Sequence, residues 1–96
     1  MQMMIKSFAA KETEKLFRGR RPKVVPEQVR ERALSKLLVL HAATDVEDLR
    51  APLGNRLEKL RGDREGQWSI RINQQYRVCF SFEGAHAYDV EITDYH

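Results

Sequence analysis

The chain has 96 residues, 42% of them hydrophobic and 32% charged, with a net charge of +3. That mix excludes a disordered chain and predicts one small domain over 1–96, burying roughly 60–65% of its unfolded surface. No apolar run approaches the ~20 residues that span a bilayer, so no membrane association and a cytoplasmic address are expected.

Met3–Phe8 reads as a short first strand, too short and too polar for a secretory signal. Lys11–Phe17 reads as a short helix, broken by Gly19. Arg18, Arg20, Arg21 and Lys23 then form a basic linker closed by Pro22 and Pro26, a solvated loop by default and a secondary candidate for RNA contact. Pro26 suits the start of a second helix, expected from Glu27 to Ala43. Val29, Ala33, Leu37 and Leu40 recur at helical spacing along it. His41 near its end reads as a packed or capping histidine. Thr44–Leu49 reads as a capped turn of helix, and Ala51–Gly54 as a loop.

From Asn55 the period changes to two. Trp68, Ile70 and Ile72 alternate with polar residues, as do Tyr76, Val78, Phe80 and Phe82, and then Tyr88, Val90 and Ile92. This predicts a three-strand meander with one apolar face, covered by the helices, in a two-layer α+β fold. Cys79, the single cysteine, falls in this pattern and excludes an internal disulfide and a cysteine-rich zinc site. No metal or cofactor is expected, and nothing implies an obligate oligomer.

The alternation also restricts register, because a one-residue slip turns core residues outward. A loop of Asn73-Gln74-Gln75 pairs Ile72 with Tyr76, and sets Arg71 opposite Arg77 on the other face. Like charges so placed repel. Either an anion such as phosphate sits at the pair, or the two arginines splay into solvent or pair with Asp89 or Glu91. For the second hairpin, a loop of Glu83–Ala87 and pairing of Phe82 with Tyr88 set Val78 opposite Ile92 and Arg77 opposite Thr93. Asp94, Tyr95 and His96 then fall beside Arg77. An acid, a phenol and an imidazole next to arginines are the groups that RNA transesterification uses, although the same tail is also compatible with a frayed end. Charge is distributed to match. Arg56, Lys59, Arg61, Arg64, Arg71 and Arg77 make a basic middle, followed by a stretch with no Lys or Arg that carries Glu83, Asp89, Glu91 and Asp94.

Met4-Ile5-Lys6-Ser7-Phe8, Gly62–Gly66 followed by Trp68-Ser69-Ile70, Tyr76-Arg77-Val78-Cys79-Phe80, and the terminal Asp94-Tyr95-His96 after Val90-Glu91-Ile92 carry a resemblance. In order and spacing the chain resembles the HigB branch of the RelE/ParE toxin superfamily. The resemblance implies a RelE-like fold, an antiparallel twisted sheet packed against two N-terminal helices. It also implies a metal-independent endoribonuclease that cuts mRNA on the ribosome, with the 2′-hydroxyl as internal nucleophile. Carried over by position, His96, Asp94, Tyr95 and Arg77 are the catalytic candidates. Lys59, Arg61, Arg64, Arg71 and Glu58 are the candidates for RNA or ribosome contact, Glu58 standing where better-known relatives carry a histidine. The implied partners are a HigA-like helix-turn-helix antitoxin, the ribosome and mRNA, with the free toxin monomeric. Two alternatives share the fold: a ParE-like inhibitor of gyrase, and a non-nucleolytic protein acting on ribosome function or assembly.

Overall fold

The structure is a computed structural model that describes residues 4–23 and 25–94. In chain order it contains β1 (Met4–Ile5), α1 (Lys11–Phe17), α2 (Glu27–Ala42), 3₁₀ turns at Val46–Arg50 and Leu53–Asn55, β2 (Glu58–Lys59), a 3₁₀ turn at Gly62–Arg64, β3 (Gln67–Arg71), β4 (Tyr76–Glu83) and β5 (His86–Asp94).

α1 carries Glu12 and Glu14 in its first turn, where carboxylates suit the helix dipole. It ends where Gly19 N–H donates to the Leu16 carbonyl and Arg20 N–H to the Lys15 carbonyl. That paired closure needs a left-handed residue at Gly19, whose φ is +80°. α2 matches the helix expected from Glu27 to within one residue at its C-terminal end. Its four residues at helical spacing, Val29, Ala33, Leu37 and Leu40, are all buried. Pro26 precedes its first turn, and Arg30 ties the linker back by donating to the Pro22 and Val25 carbonyls. The capped turn expected at Thr44–Leu49 forms at Val46–Arg50, with the Asp45 carboxylate accepting from Glu47 N–H at 2.9 Å. His41 packs its ring on Phe17, and its Nδ1 accepts from Ile5 N–H at 3.2 Å, so it joins α2 to β1.

The five strands form one sheet in the order β1-β5-β4-β3-β2. β2 to β5 are antiparallel, as expected, but β1 joins β5 in parallel, so the sheet is mixed. The physical reason is the connection. A parallel pair needs a long crossover, and α1 and α2 lie between β1 and the sheet strands. Both helices pack on the face that carries Ile70, Ile72, Val78, Phe80, Ala87 and Val90, all buried in one core with Leu16, Val29, Leu37 and Leu40.

The first hairpin has the register the alternation requires: Ile70 opposes Val78 and Arg71 opposes Arg77. Its turn is held by Asn73, whose side-chain oxygen accepts from Gln75 N–H and Tyr76 N–H at 2.8 and 2.7 Å. The second hairpin corrects the expectation. Val78 opposes Ile92 and Arg77 opposes Thr93 as expected, but Phe82 opposes Ala87 and Ser81 opposes Tyr88. The loop is shorter than Glu83–Ala87, and a one-residue bulge on β5 restores the register. Asp89 sits in that bulge at φ +53°. Ser7 pins it from the β1 side, its hydroxyl accepting from Asp89 N–H at 2.9 Å and its carbonyl from Val90 N–H at 3.1 Å.

Candidate active site

The face of the sheet away from the helices is built by the alternate residues. Across it run Glu58, Ser69, Cys79 and Glu91 in one row, and Arg71, Arg77 and Thr93 in the next. A meander with one apolar face predicts that this face is solvated, yet Ser69 and Arg77 are buried, and so is Cys79, whose place in the strand pattern reads as a small core or half-buried residue. Burial pushes the Cys79 thiol above its ordinary pKa, against the smaller downward pull of Thr93 and nearby guanidinium groups.

Arg77 lies at the centre. Its Nε donates to the Ser69 hydroxyl at 2.7 Å, and one terminal nitrogen to the Arg56 carbonyl at 2.6 Å. The Glu58 carboxylate stands 4.0 Å from that nitrogen, with more than half of its side chain in solvent, so its attraction is screened. The Arg56 carbonyl reaches Arg77 because Arg56 adopts a left-handed conformation at φ 45° and ψ 57°. Upstream, the buried Asn55 amide donates to the Leu49 and Ala51 carbonyls at 3.2 and 3.3 Å and accepts from Lys36 Nζ. The segment before β2 is thus anchored to α2, and this fixes the direction of the Arg56 carbonyl.

Arg71, facing Arg77 across the strands, turns away and donates its Nε to the Asn73 carbonyl at 3.1 Å. The facing arginines are therefore separated by different acceptors. They are neither both solvated nor paired with Asp89 or Glu91. Glu91 is held instead by Arg64 at 2.9 Å, whose other terminal nitrogen donates to the Gln67 side-chain oxygen at 3.0 Å. Between the diverging groups lies a pocket of about 300 Å³ lined by Arg56, Arg71, Asn73, Gln74 and Arg77. Three arginines thus line one small open depression, an arrangement with the charge and donors to take an anion such as a phosphate group.

Asp94 lies at the rim of this region. It opposes Tyr76 across the strands, and its carboxylate accepts from the Gln75 amide at 3.0 Å. Tyr95 and His96 fall outside the described residues. Among the described residues, no group of three or more His, Cys, Asp or Glu is placed to hold a metal ion. Among the described residues, no helix is long and apolar enough to cross a membrane.

Over residues 6–96 the sequence matches the family described as the RelE-like toxin of type II toxin–antitoxin system HigB. The chain belongs to this HigB family. It is 37% identical over 93 residues to the Endoribonuclease HigB of Proteus vulgaris, which spans 97% of this chain and all of that one. It is 41% identical over 63 residues to the Toxin HigB-1 of Vibrio cholerae, 66% of each chain. Among solved structures, the YoeB–YefM complex from Staphylococcus aureus aligns over 96% of this chain and 97% of its own, with a TM-score of 0.56 and 16% identity. That similarity shows the fold.

In this HigB-family toxin the positions named from sequence separate into groups. Arg77, Arg71 and Glu58 gather at one end of the polar face, while Asp94, paired with Tyr76 two residues beyond Ile92, belongs by strand parity to the opposite face at the neighbouring strand end. Arg61 stands exposed before the Gly62–Arg64 turn. Lys59 lies on the opposite side of the sheet from Glu58, over the Trp68 ring at 5.3 Å from its centroid. Arg64 is engaged by Glu91. Sequence reasoning passed over Arg56, Ser69 and Asn73. Only Asn73 carried a signal, since an Asn in a tight hairpin loop predicts side-chain bonding to the turn.

Proposed function

We propose that the protein is the mRNA-cleaving endoribonuclease of its toxin–antitoxin pair, acting on the ribosome. The observation that carries the reading is the pocket in which Arg77, held by Ser69 and the Arg56 carbonyl, faces Arg71 and Arg56. A scissile phosphate placed there has its non-bridging oxygens met by the guanidinium groups of Arg77 and Arg71, each already held by a hydrogen bond, so little reorganisation is needed as charge develops. The RNA 2′-hydroxyl attacks the phosphorus, its proton passing to a base. The 5′-oxygen leaves with a proton from an acid, and a 2′,3′-cyclic phosphate remains. His96 is the group suited to proton transfer near neutral pH, since imidazole titrates there. Asp94 orients the tail through the hairpin, and Tyr95 stacks on a base, as aromatic rings do on unpaired RNA. Arg61 and Lys59 supply contacts to RNA phosphates outside the pocket.

The similarity to a relative named as an endoribonuclease supports this reading. The partner of the toxin is an antitoxin, and we assign it to the HigA-like helix-turn-helix class. The toxin acts as a cytoplasmic, monomeric single domain.

The test is cleavage of a defined mRNA by purified protein with and without ribosomes. Arg77→Ala and His96→Ala are each expected to lower the single-turnover rate by about 10²–10⁴-fold with ribosomes present. Wild-type protein that leaves mRNA intact on ribosomes, or a His96→Ala variant as fast as the parent, refutes the assignment.

A further inference from the structure

The Arg77 pocket does not end at the sheet. It shares Arg71, Asn73 and Gln74 with a larger depression of about 680 Å³ whose other walls include Arg32, Ser35 and Lys36. That one in turn shares Arg32, Ser35 and Asn73 with a third, of about 480 Å³, reaching Gln28 and Glu31. The three make one groove between α2 and the β3–β4 hairpin. Along α2 alone, from Gln28 to Ser35, it runs roughly 10 Å.

Its charge is asymmetric. Arg56, Arg71, Arg77, Lys36 and Arg32 line it, against one carboxylate, Glu31, at the far end. Several of these cations are uncommitted. Among the described residues, no side-chain hydrogen bond or ion pair holds Arg32 or Arg56, and Arg71 uses only its Nε. Elsewhere guanidinium groups are engaged: Arg30 by two carbonyls, Arg50 by Glu47, Arg64 by Glu91. A groove that leaves guanidinium forks facing solvent fits a chain of phosphates, each of which takes a bidentate pair.

We propose that the cleaved RNA strand leaves the Arg77 pocket along this groove, with Arg71 and then Arg32 on successive phosphates and Ser35 a hydrogen-bonding wall between them. The identity of the strand rests on the nuclease reading, while the groove as a site for single-stranded RNA does not. Glu31 marks where the phosphate track ends, since a carboxylate repels it.

The experiment uses the full chain and a short fluorescent RNA with 2′-O-methyl groups throughout, which lacks the attacking hydroxyl and so reports binding without cleavage. Anisotropy is read between 50 and 200 mM salt. Arg32→Glu is expected to weaken binding about tenfold at the low-salt end and to flatten the log K against log salt slope by about 0.7 for the lost phosphate. Lys11→Glu, the same charge change at an exposed position outside the groove, changes binding less than about twofold. Equal effects of the two variants, or wild-type protein that does not bind this RNA, overturn the proposal. Groove-dependent binding by a protein that does not cut mRNA on ribosomes overturns the nuclease reading and leaves the groove standing.

Discussion

Ser69 offers the sharpest test of how the arginine face is built. Its side chain is fully buried, and its hydroxyl accepts from Arg77 Nε at 2.7 Å. Ser69→Ala removes that acceptor with no gain of volume and leaves the Nε of a largely buried guanidinium without it. A hydrogen bond to a charged group contributes about 1.5–3 kcal/mol, and the loss falls at the upper part of that range when the donor is buried. For a domain of this size a loss of about 2 kcal/mol lowers Tm by roughly 8–16 °C. The single variant does not isolate the bond, because Arg77 keeps acceptors on the Arg56 and Ser69 carbonyls. A double-mutant cycle does: Ser69→Ala, Arg77→Met and both together, followed by reversible thermal melts. Arg77→Met leaves a long apolar side chain and no charge to strand, so Ser69→Ala in that background costs little. The expected coupling is about 1.5–3 kcal/mol. A coupling below about 0.5 kcal/mol, with Ser69→Ala melting within a few degrees of the parent, refutes the claim that Ser69 holds Arg77.

Two smaller predictions follow from the same sheet. Asp89 holds a left-handed conformation at φ +53°, which costs a non-glycine residue about 1–2 kcal/mol; Asp89→Gly melts at or above the parent temperature, whereas Asp89→Val loses about 1–2 kcal/mol in urea titration. Cys79 is buried, and burial raises its pKa, so the reactive thiolate is scarcer than in a free thiol; native protein at pH 8 is expected to react with iodoacetamide far more slowly than urea-unfolded protein, and equal rates contradict the packing of this face.

Much of the fold was legible because it rests on periodicity. Val29, Ala33, Leu37 and Leu40 fix the buried side of α2, and Ile70, Ile72, Val78 and Phe80 fix both the core side of the sheet and the register of the first hairpin. The second hairpin shows where pattern stops. Two arrangements keep Val78 opposite Ile92: a longer loop, or a tight turn with a bulge. Choosing between them depends on Ser7, a residue 82 positions away in sequence that holds Asp89 N–H. β2 was too short to show alternation. At the candidate site, strand parity placed Arg71 and Arg77 together on one face, with Asp94 at the neighbouring strand end, since register is all that juxtaposition requires. It did not reveal that Arg77 is buried, because its partners are a serine hydroxyl and a backbone carbonyl from a left-handed residue. A two-colour pattern of apolar and polar counts Ser69 as solvent-facing, whereas the hydrogen bond between its hydroxyl and Arg77 allows it to lie inside.

The strand order carries a consequence for synthesis. β5 lies in the interior of the sheet, between β1 and β4, although it is the last of the five strands to be made. Until it inserts, β4 and β1 each lack a neighbour, and Arg77 has no Thr93 beside it. The row that carries Arg77 is therefore completed only when β5 inserts between β1 and β4, so the candidate site and the closure of the sheet form in one step.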